Sequence, residues 1–80
     1  MVMLMYVRLT QMREGEKGVV VDIQGGYGAR QRLLSMGIAP GTKIFVLKSG
    51  NPGPYIIAIG NTRIALGRGV AEKIVVRREL

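Results

Sequence analysis

This chain contains no histidine, no cysteine and no tryptophan, and only five carboxylates. Lacking histidine, it lacks the side chain that most often serves as a base or metal ligand near neutral pH. Lacking cysteine, it has no thiolate nucleophile and no disulfide, and nothing ties it to an oxidising compartment. Ser35 and Ser49 are its two serines, and no obvious base accompanies them. Glu14, Glu16, Asp22, Glu72 and Glu79 are dispersed, so neither paired-carboxylate catalysis nor a tight transition-metal cage is expected. These absences point away from an enzyme, and no cofactor, catalytic residue or metal ligand is assigned. The longest apolar run, Met1–Val7, is too short to cross a membrane. It has no basic segment before it and no small-residue cleavage motif after it, so it does not read as a signal peptide. The expectation is a cytoplasmic protein that does not insert into the bilayer.

What the chain does contain is apolar content and positive charge. Eighty residues, 48% of them apolar, suit one folded domain spanning residues 1–80. Twelve Lys and Arg against five acids give +7, a balance that favours acidic partners: nucleic acid, anionic lipid head groups or an acidic protein surface. No basic block exceeds two residues, which weighs against a nucleic-acid patch and for ordinary solvation.

The chain is organised around Gly25–Thr42, GGYGARQRLLSMGIAPGT. Gly25, Gly26 and Gly28 read as a tight strand-to-helix corner. A phosphate cradle is the competing reading, but the spacing matches neither the dinucleotide fingerprint nor the P-loop. From Ala29 to Met36 the residues favour helix, with Ala29, Leu33 and Met36 on one face, Leu34 widening it, and Arg30, Gln31 and Ser35 on the wet side. Gly37 sits where helices end in the left-handed region, and Ile38 follows as the apolar residue that packs back. Ala39-Pro40-Gly41-Thr42 suits a type II turn.

Strands are expected on both sides. Val19–Gln24 should place Val19, Val21 and Ile23 on one face and Val20, Asp22 and Gln24 on the other. Lys43–Lys48, Tyr55–Ile59, Thr62–Leu66 and Lys73–Arg77 follow, with Gly60-Asn61 as a hairpin turn. Leu9–Met12 reads as a single helical turn, and 67–72 as another short turn in which Arg68 stands between Gly67 and Gly69. Met1–Arg8 is apolar on both faces, so it either joins the sheet or meets a second molecule. Its alternating Met1, Met3 and Met5 fit core gap-filling better than a soft-metal site. The fold class is mainly β: a small five-stranded barrel with one short α-helix.

The run Arg30-Gln31-Arg32-Leu33-Leu34, Met36-Gly37-Ile38, Pro40-Gly41-Thr42, Val46-Leu47, Ile64-Ala65-Leu66 and Ala71–Val76 strongly resembles the ferrous iron transport protein A (FeoA) family over about residues 9–77. The resemblance implies an SH3-like barrel and family-level association with metal ions. It also implies a non-enzymatic cytosolic accessory role beside a FeoB-type GTPase permease for ferrous iron. The protein would then be recruited to the inner face of the membrane by the permease. The alternative is a nucleic-acid-binding or metalloregulator-associated module. Arg30, Arg32, Arg68 and Tyr27 are the candidate partner-binding residues. Gly25, Gly26, Gly28, Gly37, Pro40 and Gly41 are the expected turn and cap positions. Many family members carry a basic pair and acids where this chain has Gly67-Arg68-Gly69-Val70. The apolar extension 1–8 is a candidate for self-association through Met1–Val7.

Overall fold

The computed structural model describes residues 5–50 and 52–79. Within them the chain runs β1 (Tyr6–Arg8), a 3-10 turn (Leu9–Gln11), β2 (Lys17–Ile23), α1 (Tyr27–Ser35), β3 (Lys43–Lys48), β4 (Tyr55–Ile59), β5 (Thr62–Leu66), α2 (Arg68–Ala71) and β6 (Ile74–Glu79). The strands form one antiparallel sheet in the order β1-β6-β2-β3-β4-β5.

Six described strands therefore stand where five were expected. The addition is β1, in which Tyr6, Val7 and Arg8 pair with Arg77, Val76 and Val75. Val7 packs against the core, which explains why an apolar N-terminal segment joins the sheet. Residues 1–4 lie outside the described residues, and with them most of the Met1–Val7 segment expected to self-associate. Among the described residues no ladder joins β1 to β5, so the sheet rolls around its core without closing. The 3-10 turn fills the gap. Its Leu9, and Met12 just beyond it, are buried, and the Tyr55 hydroxyl donates to the Thr10 carbonyl at 3.4 Å.

Alternation supplies the core. Ile44 and Val46 from β3, Tyr55 and Ile57 from β4, Leu66 from β5, and Ile74 and Val76 from β6 are buried in one cluster. In β2 the alternation breaks, because Val20 pairs with Val76 but Asp22 pairs with Val75. Val21 is the extra residue of a β-bulge. It lets Val20 and Ile23 both point inward although they lie three residues apart, while Val19 and Val21 are only half-buried. The expected grouping of Val19, Val21 and Ile23 on one face is corrected accordingly. The bulge is held by the turn before β3: Val20 N–H donates to the Thr42 carbonyl at 2.8 Å, and Gly41 N–H donates to the Val20 carbonyl at 2.7 Å.

The helix ends as its sequence chemistry requires. Ile38 N–H donates to the Leu33 carbonyl and Gly37 N–H to the Leu34 carbonyl, both at 2.9 Å. With Gly37 at φ +87°, this is a Schellman motif, and Leu33 and Ile38 are its buried apolar pair. Gly41 at φ +97° and the Thr42 N–H to Ala39 carbonyl bond of 3.0 Å complete the type II turn across Pro40.

Candidate docking site

Gly25 sets the corner that presents α1. Its φ of +110° is a left-handed-side conformation that L side chains rarely adopt, and a Cβ there would also press on Ala29 and Lys73. Gly26 and Gly28 differ from Gly25. Gly26 is the extended N-cap residue and Gly28 lies in the first helical turn, and a Cβ at either would meet open space. The corner is fixed to the rest of the fold by the Gln24 N–H, which donates to the Lys73 carbonyl at 2.7 Å. Arg8 reaches the same region, its Nη1 donating to the Glu72 carbonyl at 2.7 Å. The first bond ties the start of α1 to the end of α2, and the second ties β1 to the end of α2.

Between the two helices lies a groove of about 330 Å³ lined by Gly28, Ala29, Arg32, Leu33, Val70 and Lys73. Arg32 and Lys73 make it basic, and no carboxylate lies within 4.0 Å of either among the described residues. The outward side of α1 has a different character. Tyr27, Arg30, Gln31 and Leu34 fall at i, i+3, i+4 and i+7, a stripe about 100° round the helix from Leu33. Tyr27 is 78% exposed and Leu34 55% exposed. Arg30 stands between them, its Nη2 at 4.0 Å from Asp22 Oδ1 of β2.

Leu34 and Met36, expected to help face the core, are exposed instead. A nine-residue helix has room for one buried leucine over the end of the sheet, and Leu33 takes that place. Leu34 is a further 100° round the helix, and Met36 is the C-cap residue where the chain is already leaving the helix. Leu34 also lines a small recess with Ile23, Ile38, Ala39 and Pro40 on the Arg30 side.

The four residues singled out for partner binding thus fall in three places. Tyr27 and Arg30 share the outward stripe of α1. Arg32 turns into the α1–α2 groove. Arg68 lies apart, in a recess with Thr10, Met12, Arg13 and Tyr55, its Nε at 3.6 Å from the Glu72 carboxylate one turn on. Leu34 on the stripe and Lys73 in the groove adjoin these residues and were not singled out. The i, i+7 spacing of Tyr27 and Leu34 was the signal for the first. Lys73 becomes visible only once residue 24 is seen to bond residue 73.

The FeoA domain model matches residues 7–78. The chain is 50% identical over 64 residues to a Methanocaldococcus jannaschii protein provisionally named Fe(2+) transport protein A, a match covering 80% of this chain and 77% of that one. A crystal structure of an iron uptake regulatory protein, FeoA, superposes with a TM-score of 0.88 at 49% identity, covering 94% of this chain and 100% of the other. The FeoA of Stenotrophomonas maltophilia, crystallised with zinc, superposes with a TM-score of 0.77 at 25% identity, covering 91% of this chain and 95% of the other. That protein is described as a prokaryotic SH3 domain protein and has been suggested as a ferrous iron transport activating factor. By this match along nearly its whole length, the chain belongs to the FeoA family of ferrous iron transport proteins, and its fold is SH3-like.

Proposed function

We propose that this chain is a non-enzymatic, cytoplasmic accessory protein of ferrous iron uptake, and that it docks on the cytosolic part of a FeoB-type GTPase permease through the outward face of α1. The observation that carries the reading is the stripe Tyr27–Arg30–Leu34. An aromatic ring, an arginine and a leucine stand exposed along one stripe of a helix that is anchored in the core by the neighbouring Leu33. Aromatic and arginine side chains around an apolar contact are the groups that dominate protein–protein binding energy. A helix held by a Schellman cap and by the bond from Gln24 to Lys73 presents them with little ordering left to do. Arg32 and Lys73 add unpaired positive charge in the neighbouring α1–α2 groove, which suits an acidic rim on the permease. The absence of histidine and cysteine and the family's transport assignment support a role in binding and regulation.

The test is calorimetry or biolayer interferometry with the isolated cytosolic GTPase region of the permease. Leu34→Asp, folded and with the parent's melting temperature, should weaken binding by tenfold or more, on the order of 1.4 kcal/mol. Undiminished binding by that variant removes α1 from the interface.

A further inference from the structure

The outward side of the sheet carries a second surface, remote in kind from the α1 stripe. Strand register sets two rows across it. Tyr6, Arg77, Val19 and Lys43 are successive partners across β1, β6, β2 and β3. Glu79, Lys17, Phe45, Ala58 and Arg63 are successive partners across β6, β2, β3, β4 and β5. Each alternates with a core residue on its own strand, so all of them face away from the core. On β1, β6, β2 and β3 this face presents five basic groups, Arg8, Arg77, Lys17, Lys43 and Lys48, the last brought to this side by a bulge at Leu47, and none lies within 4.0 Å of a carboxylate among the described residues. Its acids are Glu79 and Asp22, and Asp22 is already engaged by Arg30. Tyr6 is 60% exposed and Phe45 40% exposed between these charges. A shallow depression of about 290 Å³ lies among Lys17, Lys43, Phe45, Ala58 and Glu79.

Charge complementarity calls for an anionic occupant, and the spacing of the rings selects among anionic partners. Tyr6 and Phe45 sit on β1 and β3 with β6 and β2 between them and two residues out of line, on the order of 16 Å apart by strand spacing and rise. Successive nucleobases cannot stack on two rings so far apart, so the face is not a stacking platform for a single strand. Isolated rings set among lysines and arginines suit a bilayer interface, where amphipathic rings and long basic side chains reach the head-group level. We propose that the outward face of β1, β6, β2 and β3 is a contact surface for anionic phospholipid head groups, holding the protein against a negatively charged membrane by peripheral adsorption. The inference stands on the face's own charge and does not depend on the permease reading.

Vesicle co-sedimentation tests it, using phosphatidylcholine vesicles with and without phosphatidylglycerol, at low and at physiological salt. The full chain should bind the phosphatidylglycerol vesicles only, and less at the higher salt. Lys43→Glu with Arg77→Glu should lose roughly tenfold or more of that binding. Arg32→Glu with Arg68→Glu removes the same charge from the helices and should stay within about threefold of the parent, because the attraction fades within a Debye length. The paired Lys43→Gln and Arg77→Gln variant guards against misfolding by charge reversal and should show an intermediate loss with an unchanged circular dichroism spectrum. No binding by the parent overturns the proposal. So does an equal loss in the two charge-reversed pairs, which would mean that net charge alone acts. So does binding to a short single-stranded DNA that exceeds vesicle binding and is lost in the sheet-face variant. Leu34→Asp should leave vesicle binding unchanged, so failure of the docking proposal and failure of this one are separable.

Discussion

Leu33 and Leu34 stand side by side on α1 and meet opposite environments, one 1% and the other 55% exposed. Leu33→Ala should therefore cost about 2–5 kcal/mol, as the loss of buried methyl groups over a packed core does. Leu34→Ser should cost much less, on the order of 0.5 kcal/mol, because the side chain is mostly exposed and only its carbonyl takes part in the helix cap. Thermal melts of the two variants give the contrast directly, and equal destabilisation would place Leu34 in the core. The glycines divide in the same way. Gly37→Ala forces an L residue to φ +87° and should cost about 1–2 kcal/mol. Gly28→Ala meets open space in an ordinary helical conformation and should stabilise the fold by about 0.5–1 kcal/mol. If Gly28→Ala raises the melting temperature and lowers permease affinity, the partner approaches the helix backbone closely at that point.

Elements whose form depends on local chemistry were legible in the sequence. The glycine and following isoleucine that end α1, and the Pro-Gly turn behind them, are set by conformations that few other residues adopt, and both formed as expected. Strands β3, β4 and β5 kept their bounds, and β4 and β5 carried clean alternation, while β3 bulges at Leu47. What was not legible depended on distant partners. The bulge at Val21 arises where β2 must meet both β6 and the turn at Gly41, and a run of three valines reads the same with or without it. The division of α1 into a core side and an exposed side was blurred because apolar residues occur on both. Strand β1 could be read as sheet or as a contact to another molecule, and it pairs with β6 through Val7. Deleting residues 1–7 should therefore lower the melting temperature, since it strips β6 of a partner strand and uncovers Val76. Sedimentation of the same variant separates this effect from self-association, which would appear as a change in oligomer.

At the scale of the molecule, the two proposed surfaces differ: an α1 face with an apolar centre and a basic flank, and a sheet face on which basic groups outnumber acids. They make different demands on salt. In the proposed docking mode α1 binds through Tyr27 and Leu34, with Arg30 beside them and Arg32 in the neighbouring groove, so Arg32→Glu should mainly slow association with an acidic partner and flatten its salt dependence. Stopped-flow or surface-based association rates across a salt series check this; an unchanged rate and slope would show Arg32 to be merely solvated. The central claim is that α1 is the docking element, and affinity for the permease's cytosolic GTPase region tests it most directly. The measurement compares the parent, Leu34→Asp, and the Lys43→Glu with Arg77→Glu pair, all with matched melting temperatures. The account predicts a loss of tenfold or more for Leu34→Asp and near-parent affinity for the sheet-face pair. Parent-like affinity for Leu34→Asp, with loss in the sheet-face pair, would contradict it and move the docking surface to the sheet.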